Sequence, residues 1–368
     1  MKKSLLALAL IAGFSSAAFA SESNVQLYGI ADVGFQHYGG GQLGGVNQLG
    51  SGLESASRIG IKGQQNLGNG NQAFFDLETG FCANGGTTAN GGLATSPGDY
   101  CTGGGFMGRL AEVGLKGDWG TAKAGRLYNP LFLDAASVDP FGTGMTGSTF
   151  NMVFPTSDVR FSQTIQYTTP NYEGLHGDLS YSFGNMPNST SNGSVYALDA
   201  VYRNGPWMGG VGYMKDNTIK LSGLTSANAA NKTVEAFGSY DFQVAKVSAY
   251  VSQNKADFVN ANSTIGTGVG STDSRTYMLG LTAPVGPGNI LASVSRYQNR
   301  SVSDLGATQV AIGYTYNLSK DINLYTSYAH IKNDSKQTFS VGNNTYTGYA
   351  PLPGGSSNGF DVGMRYMF

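Results

Sequence analysis

The chain has few charged residues, two cysteines and no long apolar run beyond its first twenty residues. Charged residues make up 12% of the 368 residues. The 55 glycines follow no triplet period, which excludes a collagen-like fibre, and the 11% aromatic content disfavours intrinsic disorder. Since no later apolar run reaches the roughly 18 residues of a membrane-spanning helix, a closed β-barrel is the remaining way to cross a bilayer.

Residues 1–20 have the features of a secretory signal peptide. Lys2 and Lys3 precede an apolar stretch, and Ala18-Phe-Ala20 provides an A-x-A cleavage site. We therefore expect an exported chain, with residues 21–368 forming one domain. Loss of the two lysines would leave 20 basic against 23 acidic residues, a balance that argues against a nucleic-acid partner.

The only two cysteines, Cys82 and Cys101, lie in one stretch rich in Gly, Thr and Ser. Because the periplasm is oxidising, we predict a disulfide between them. Such a bond would close a loop of about 20 residues and stabilise it by roughly 3 kcal/mol. The alternative is a pair of free thiols with no role.

Apolar and polar residues alternate in several segments, which is typical of strands with one oily and one wet face. In the segment 309–318, Val310, Ile312 and Tyr314 share one face, while small or polar residues occupy the other. The segment 357–368 alternates in the same way and ends on Phe368. This pattern predicts an all-β, transmembrane antiparallel barrel with lipid outside and water inside.

Short turn sequences alternate with long polar stretches along the chain. Turn signals at 66–70, 117–120, 171–174, 204–206, 283–288 and 317–321 separate longer stretches such as 82–108 and 131–159. We count about sixteen strands, enough for a barrel with a water-filled lumen. A soluble β-sandwich or β-helix is the alternative, but it would expose rows of Tyr, Leu and Phe to water.

No constellation of residues indicates catalysis. His37, His176 and His330 are far apart in sequence and lack metal-binding spacing. The segment Gly355-Ser-Ser-Asn-Gly359 matches a nucleophile-elbow pattern, but it precedes a predicted strand where that motif requires a strand, a sharp turn and a helix. The sequence thus predicts no enzyme, no metal site and no cofactor.

Several motifs spread along the chain resemble those of the trimeric general porins of Gram-negative bacteria, in the branch typical of beta-proteobacteria and Neisseria. The matching segments are Val25-Gln-Leu-Tyr-Gly-Ile-Ala-Asp-Val-Gly34, Ser57-Arg-Ile-Gly-Ile-Lys-Gly63, Val113-Gly-Leu-Lys-Gly-Asp-Trp-Gly-Thr121, Ala124-Gly-Arg126, Asp139-Pro-Phe-Gly142, Tyr167-Thr-Thr-Pro-Asn-Tyr172 and Tyr366-Met-Phe368.

The resemblance implies that a long loop, at about residues 131–159, folds into the barrel and narrows the pore. Carried over by position, the basic wall residues are Arg58, Lys62, Arg126 and Arg160, and the facing loop acids are Asp134 and Asp139. Opposed charges across a water-filled neck would create a transverse field that orients dipolar solutes and selects ions by sign.

Two positions, Gln166 and Arg109, do not fit this scheme of basic wall residues. Gln166 stands where relatives often carry a basic residue, which shortens the ladder by one step. Simple alternation places Arg109 with Ala111 and Val113 on the lipid side, where its charge would have to snorkel, unless it lies past the strand end. We still expect a mild anion preference, because local charge outweighs net charge when the screening length is about 8 to 10 Å.

These features together predict a general diffusion porin of the outer membrane, passing ions and small hydrophilic solutes. The resemblance implies a homotrimer, with outer-membrane lipid and lipopolysaccharide as neighbours. Two alternatives are a substrate-specific channel on the same barrel, and a surface adhesin or receptor whose loops do the work.

Overall fold

The computed structural model of the chain describes residues 24–84, 105–142, 144–153, 159–217, 219–221, 224–226, 230–257, 271–342 and 350–368. The predicted signal peptide, residues 1–20, lies outside them. The strands are β1 Asn24–Gly39, β2 Val46–Ser51, β3 Arg58–Gly68, β4 Asn71–Gly80, β5 Leu110–Gly117, β6 Gly120–Tyr128, β7 Arg160–Thr168, β8 Leu175–His176, β9 Asp178–Ser182, β10 Val195–Asn204, β11 Trp207–Asp216, β12 Ile219–Leu221, β13 Leu224–Ser226, β14 Asn231–Asp241, β15 Lys246–Asp257, β16 Ser271–Val285, β17 Gly288–Asn299, β18 Ala307–Asn317, β19 Ile322–Asn333 and β20 Ser356–Met367. The described helices are α1 Pro130–Val138 and α2 Phe150–Val153.

The strands close into one antiparallel barrel. β1 pairs with β20 from Ile30 opposite Met367 to Gly39 opposite Asn358, and this pairing joins the two ends of the sheet. β2 and β3 both pair with β1, and β8 and β9 both pair with β10, so each couple forms one interrupted barrel strand. The 18-stranded sheet is therefore a barrel of 16 strands, as predicted, and β12 with β13 forms a separate hairpin.

Side chains alternate between the outer and inner faces along each barrel strand. In β20, Val362, Met364 and Tyr366 are exposed on the outer face. Asp361, on the inner face, is fully buried. The outer rows are apolar because they face hydrocarbon, and the inner rows are polar because they face water or the internal loop. Within the described residues, no helix has the length and apolar character needed to cross a membrane.

Short turns lie at one end of the barrel, together with Asn24 and Met367, and the long connections lie at the other. The turns predicted from Gly, Asn and Pro are confirmed by the strand limits, for example at residues 117–120. A further turn joins β14 to β15 through Phe242-Gln-Val-Ala245, which carries no Gly, Pro or Asn. It is closed by the Phe242 amide donating to the Ala245 carbonyl at 2.9 Å, with Gln243 at a φ of 70°.

The connection between β6 and β7 folds inward, as predicted. Helix α1 begins where the Asn129 side chain accepts a hydrogen bond from the Leu131 amide at 3.1 Å, with Pro130 in the first turn. It ends at Val138, one residue before the Asp139-Pro140 pair. The helix packs against β10, β11, β14 and β15.

The barrel's dry core lies between this connection and the inner wall. Ala135 and Val138 of α1 pack with Phe237, Tyr250 and Met278 of the wall. Further along, Phe141, Met145 and Met152 pack with Leu53, Tyr325 and Ile331, among others. The polar inner wall also receives the loop backbone, since Gln309 Nε2 donates to the Gly147 and Ser148 carbonyls at 3.0 Å. One side of the lumen is therefore filled, and the opening is shifted toward β3–β7.

Candidate pore constriction

Three arginines converge on one side of the lumen. The Nε of Arg109 lies 2.7 Å from Glu78 Oε1, and the Nη1 of Arg58 lies 3.7 Å from Glu78 Oε2. Arg109 and Arg160 each donate to the Tyr128 hydroxyl, at 3.1 and 2.6 Å. One carboxylate thus faces three guanidinium groups, which leaves the cluster with net positive charge.

Tyr128 contacts the arginine cluster through both its ring and its hydroxyl group. The guanidinium carbon of Arg160 lies 4.2 Å from the Tyr128 ring centroid, a cation–π contact. Arg58 is further fixed by donating from Nε to the Ala56 carbonyl at 2.8 Å and from Nη2 to Ser55 Oγ at 3.0 Å. These contacts hold the cations on the wall while part of the Arg58 side chain, 18% of it, remains exposed to the lumen.

The lipid-side placement of Arg109 from alternation is wrong. β5 begins at Leu110, so Arg109 precedes the strand, and strand alternation does not govern its side chain. Its amide donates to the Glu78 carbonyl at 3.2 Å, and its side chain is buried on the inner wall against the same residue. The sequence signal that was available is the Gly108 that precedes it, since a glycine at the end of a long loop marks the strand limit.

Lys62 lies on the same inner wall, toward the short-turn end from Arg58. It is directly opposite Gln26 on one neighbouring strand and Asp76 on the other. Its Nζ lies 5.1 Å from the centroid of the Tyr28 ring. Arg58 and Lys62 therefore occupy successive basic positions on the inner face of β3, with Gly60 at the inward-facing position between them.

Arg126 lies apart from the arginine cluster. The strand register places Arg126 opposite Ala111. Ala111 lies opposite Leu77, and Leu77 opposite Ile61, so all these positions belong to one outward-facing row. β6 has a register shift between Gly125 and Leu127, and the Arg126 side chain donates to the Gly108 carbonyl at 2.5 Å and to Ser162 Oγ at 2.8 Å. The bulge turns the side chain from the pore side expected from the family motif to a position between β6, β7 and the preceding loop.

Asp134 is turned away from the arginine cluster. It is a buried residue of α1, and its carboxyl interacts with Glu235 on the inner face of β14, with Asp199 close by. Burial, together with the neighbouring carboxylates Asp199 and Asp178, raises the pKa of Asp134 to about 8. The carboxyl of Asp134 therefore favours its neutral form beside Glu235, and it fastens the loop to the wall, contrary to the expectation that it faces the basic residues.

Asp139 is also engaged inside the loop. Its carboxylate accepts hydrogen bonds from the Phe141 amide at 3.0 Å and the Thr149 amide at 2.7 Å, and from Ser148 Oγ at 3.4 Å. Burial raises the pKa of Asp139 to about 7, although these hydrogen bonds favour its charged form. It closes the turn after α1, so its role is to shape the loop, and the expected position on the pore surface is wrong.

The exposed side of α1 carries no charge. Leu133 is 49% exposed, and Ala136 and Ser137 are half-buried on the same side. The described part of the loop contains no acids other than Asp134 and Asp139. Among the residues that the structure describes, the arginine cluster is therefore not matched by exposed acids on the loop, in contrast to the opposed-charge arrangement expected from the resemblance.

The predicted disulfide lies at the edge of the described residues. Cys82 follows β4 and is disulfide-bonded. Cys101 lies outside the described residues, so its pairing with Cys82 stays a prediction.

A sixteen-stranded barrel with an apolar outer belt, a polar lumen and an internal loop is the architecture of an outer-membrane pore. A profile of the Gram-negative porin family matches residues 7–336 of the chain. The chain belongs to this family, and its location is the outer membrane.

Individual relatives agree with this assignment over nearly the whole chain. An outer membrane porin protein of Bordetella pertussis is 30% identical, with 92% of this chain and 97% of the relative covered. Outer membrane porin protein 32 of Delftia acidovorans is 29% identical over 93% of this chain and 92% of its own length. Among solved structures, the anion-selective porin from Comamonas acidovorans superposes with a TM-score of 0.77 at 28% identity, covering 94% of this chain and 100% of that one.

Proposed function

We propose that the barrel is a general diffusion channel with a mild anion preference, set by Arg58, Arg109 and Arg160 on one wall of the neck. The observation that supports this preference is the charge balance of the arginine cluster: Arg58 and Arg109 pair with one carboxylate, Glu78, and Arg160 joins them through the Tyr128 hydroxyl. The loop surface opposite them carries Leu133 and no exposed acid among its described residues.

The asymmetry favours anions because the net positive charge of the arginine cluster attracts an anion in the neck and repels a cation. A unit charge about 4 Å away is worth about 1 kcal/mol in water, and lies within the screening length of about 8 Å at physiological salt. The similar porin from Comamonas acidovorans is described as anion-selective, which supports the same direction here.

The diffusion function is tested by reconstituting the full-length mature protein in planar bilayers and in liposomes. We expect stepwise conductance increases in KCl, and swelling rates for uncharged sugars that fall with increasing sugar size. Conductance that saturates with one sugar while others pass poorly would instead support a substrate-specific channel. Absence of conductance in correctly folded protein would contradict the proposal and favour a loop-based receptor.

The assembly we propose is a homotrimer embedded in outer-membrane lipid and lipopolysaccharide, with no catalytic step and no cofactor. Family membership supports the trimer. Cross-linking in detergent tests it: a ladder ending at three subunits is expected, and material that stays at one subunit would contradict it.

A further inference from the structure

The inner wall on the short-turn side of the arginine cluster carries a second, differently charged depression. Its lining includes Lys62, Lys116, Asp76, Glu112 and Phe74. All five are at inward-facing positions, since the register runs from Lys62 to Asp76 to Glu112. Phe74 lies one alternation step from Asp76 on β4, and Lys116 lies two steps from Glu112 on β5. This depression is distinct from the arginine cluster in containing acids and bases in nearly equal number.

The two carboxylates of this depression lie side by side. Asp76 of β4 is directly opposite Glu112 of β5. Side chains at such positions have their Cβ atoms about 5 Å apart. Glu112 Oε2 is 3.0 Å from Lys123 Nζ, and Asp76 Oδ1 accepts a hydrogen bond from the Tyr28 hydroxyl at 2.7 Å. Lys123 compensates one of the two charges, so the pair presents one uncompensated carboxylate charge that a solute with an ammonium group can approach from the lumen.

Unlike Lys123, Lys62 and Lys116 flank this acidic pair without forming an ion pair with it. Lys62 Nζ rests over the Tyr28 ring at 5.1 Å, and Lys116 Nζ over the Phe74 ring at 6.0 Å. Within the described residues, neither ammonium has a carboxylate oxygen at ion-pair distance, although Lys62 is directly opposite Asp76. The aromatic rings therefore hold the lysines in place while leaving their charge available to a solute.

A solute that carries charge of only one sign is partly repelled in this depression. An anion attracted by Lys62 and Lys116 is repelled by the adjacent carboxylates, and a cation attracted by Asp76 and Glu112 is repelled by the flanking lysines. A small solute that carries both charges satisfies both sets at once. The spacing of about 5 Å between neighbouring strand positions suits a carboxylate and an ammonium separated by a few bonds.

We propose that Asp76, Glu112, Lys62 and Lys116 form a subsite for small zwitterions, namely free amino acids or short peptides, on their path below the arginine cluster. This inference rests on the proposed diffusion function, because solutes reach the subsite only through an open lumen. The carboxylate of the solute is bound by a lysine, and its ammonium group by the acidic pair.

The test compares three solutes of nearly equal size on single channels of the wild-type protein at low KCl concentration. Glycylglycine carries both charges, N-acetylglycine lacks the ammonium, and glycine N-methylamide lacks the carboxylate. We expect glycylglycine to reduce the current in a saturable way, with half-block at a concentration about three- to fivefold below that of either analogue, the range of a solvent-exposed ion pair. Equal block by all three solutes would overturn the subsite.

The variant that isolates the acidic pair is Asp76→Asn combined with Glu112→Gln, which keeps side-chain size. We expect glycylglycine to lose its advantage over N-acetylglycine in this variant. The matched control Asp321→Asn, in the turn between β18 and β19, should keep it. A retained advantage in the double variant would contradict the assignment. KCl conductance is recorded first for each protein: its absence in the wild type would refute the diffusion function, whereas normal conductance without selective block refutes the subsite alone.

Discussion

The two sides of the neck use charged residues in opposite ways. On the wall, Arg58 and Arg109 pair with one carboxylate, Glu78, and Arg160 joins them through the Tyr128 hydroxyl, so the cluster keeps a net positive charge. On the loop, Asp134 and Asp139 point into protein and serve the packing of the loop itself.

The difference shows that the position of a charge in a pore motif does not fix its task. Arg58 is directed to the lumen by the alternation of β3, whereas Arg109 and Arg160 lie at strand limits and are held by their contacts with Glu78 and Tyr128. The loop acids belong to a segment with no such alternation, so packing decides their direction. In this protein, selectivity and loop anchoring are therefore assigned to separate sets of residues, and the following substitutions separate them.

Removing two wall cations is expected to have the largest effect on ion preference. The double change Arg58→Gln and Arg109→Gln should lower the chloride-to-potassium permeability ratio several-fold, since each charge is worth up to about 1 kcal/mol at about 4 Å in water. The measurement is the zero-current potential in a KCl gradient. Lys320→Gln, on the exposed turn between β18 and β19, is the matched control and should behave as wild type. An unchanged ratio in the double variant would show that the arginines do not set selectivity.

Removing the charge of Asp139 is expected to affect the loop more than the selectivity. Asp139→Ala leaves the buried amides of Phe141 and Thr149 without their acceptor, which should destabilise the folded loop by about 1–3 kcal/mol. We expect noisier single-channel currents and a lower unfolding temperature, with the permeability ratio close to wild type. Asp118→Asn, at the turn between β5 and β6, controls for the loss of a carboxylate. A large shift in ratio with quiet currents would place Asp139 on the pore surface after all.

Asp134 should make the loop's attachment sensitive to alkaline pH. Its pKa is about 8 in the folded protein, well above that of a free aspartate, so the folded state binds the proton more tightly than the unfolded state. The attachment is therefore strongest near pH 4 and weakens as pH rises toward 8, where the carboxyl ionises beside Glu235. Current noise should increase between pH 6 and pH 9 in the wild type, and less so in Asp134→Asn. Identical pH profiles would show that another group is responsible.

The smallest effect is expected from Arg126→Gln. Arg126 lies in an outward-facing row at a strand bulge, so its loss should leave the permeability ratio near the wild-type value. Arg160→Gln is the informative partner, because it removes a cation of the arginine cluster and should lower the ratio. If Arg126→Gln lowered the ratio as much as Arg160→Gln, the outward placement of Arg126 would be refuted.

The fold was predictable from sequence because two-residue alternation and turn residues are local signals. The barrel and its sixteen strands were accessible in this way, whereas the inward connection was expected only from the family resemblance. The turn at 242–245 was not predicted, because Gln243 takes the positive φ of this tight turn and no glycine, proline or asparagine marks it. The side-chain directions of residues at strand irregularities were harder to predict. Arg109 lies one residue before β5 and Arg126 lies at a bulge, and at both places alternation fails.

The site was less predictable than the fold because the loop acids are directed by tertiary contacts. Nothing in the local sequence of Asp134 indicates that Glu235, about a hundred residues later, will lie beside it. Asp139 is followed by proline at the end of α1, a pattern that in hindsight is typical of a turn-closing acid. Local signals therefore locate a loop more readily than they orient its charges.

The central claim, that the arginine cluster sets the ion preference while Asp134 and Asp139 are turned away from the pore, is tested most directly by the zero-current potential of the wild-type channel in a tenfold KCl gradient at pH 7. The account predicts a potential displaced toward the chloride equilibrium potential, with Asp134→Asn giving the same value. A potential displaced toward that of potassium, or a marked further shift toward chloride in Asp134→Asn, would show that ionised loop acids face the pore, and would contradict it.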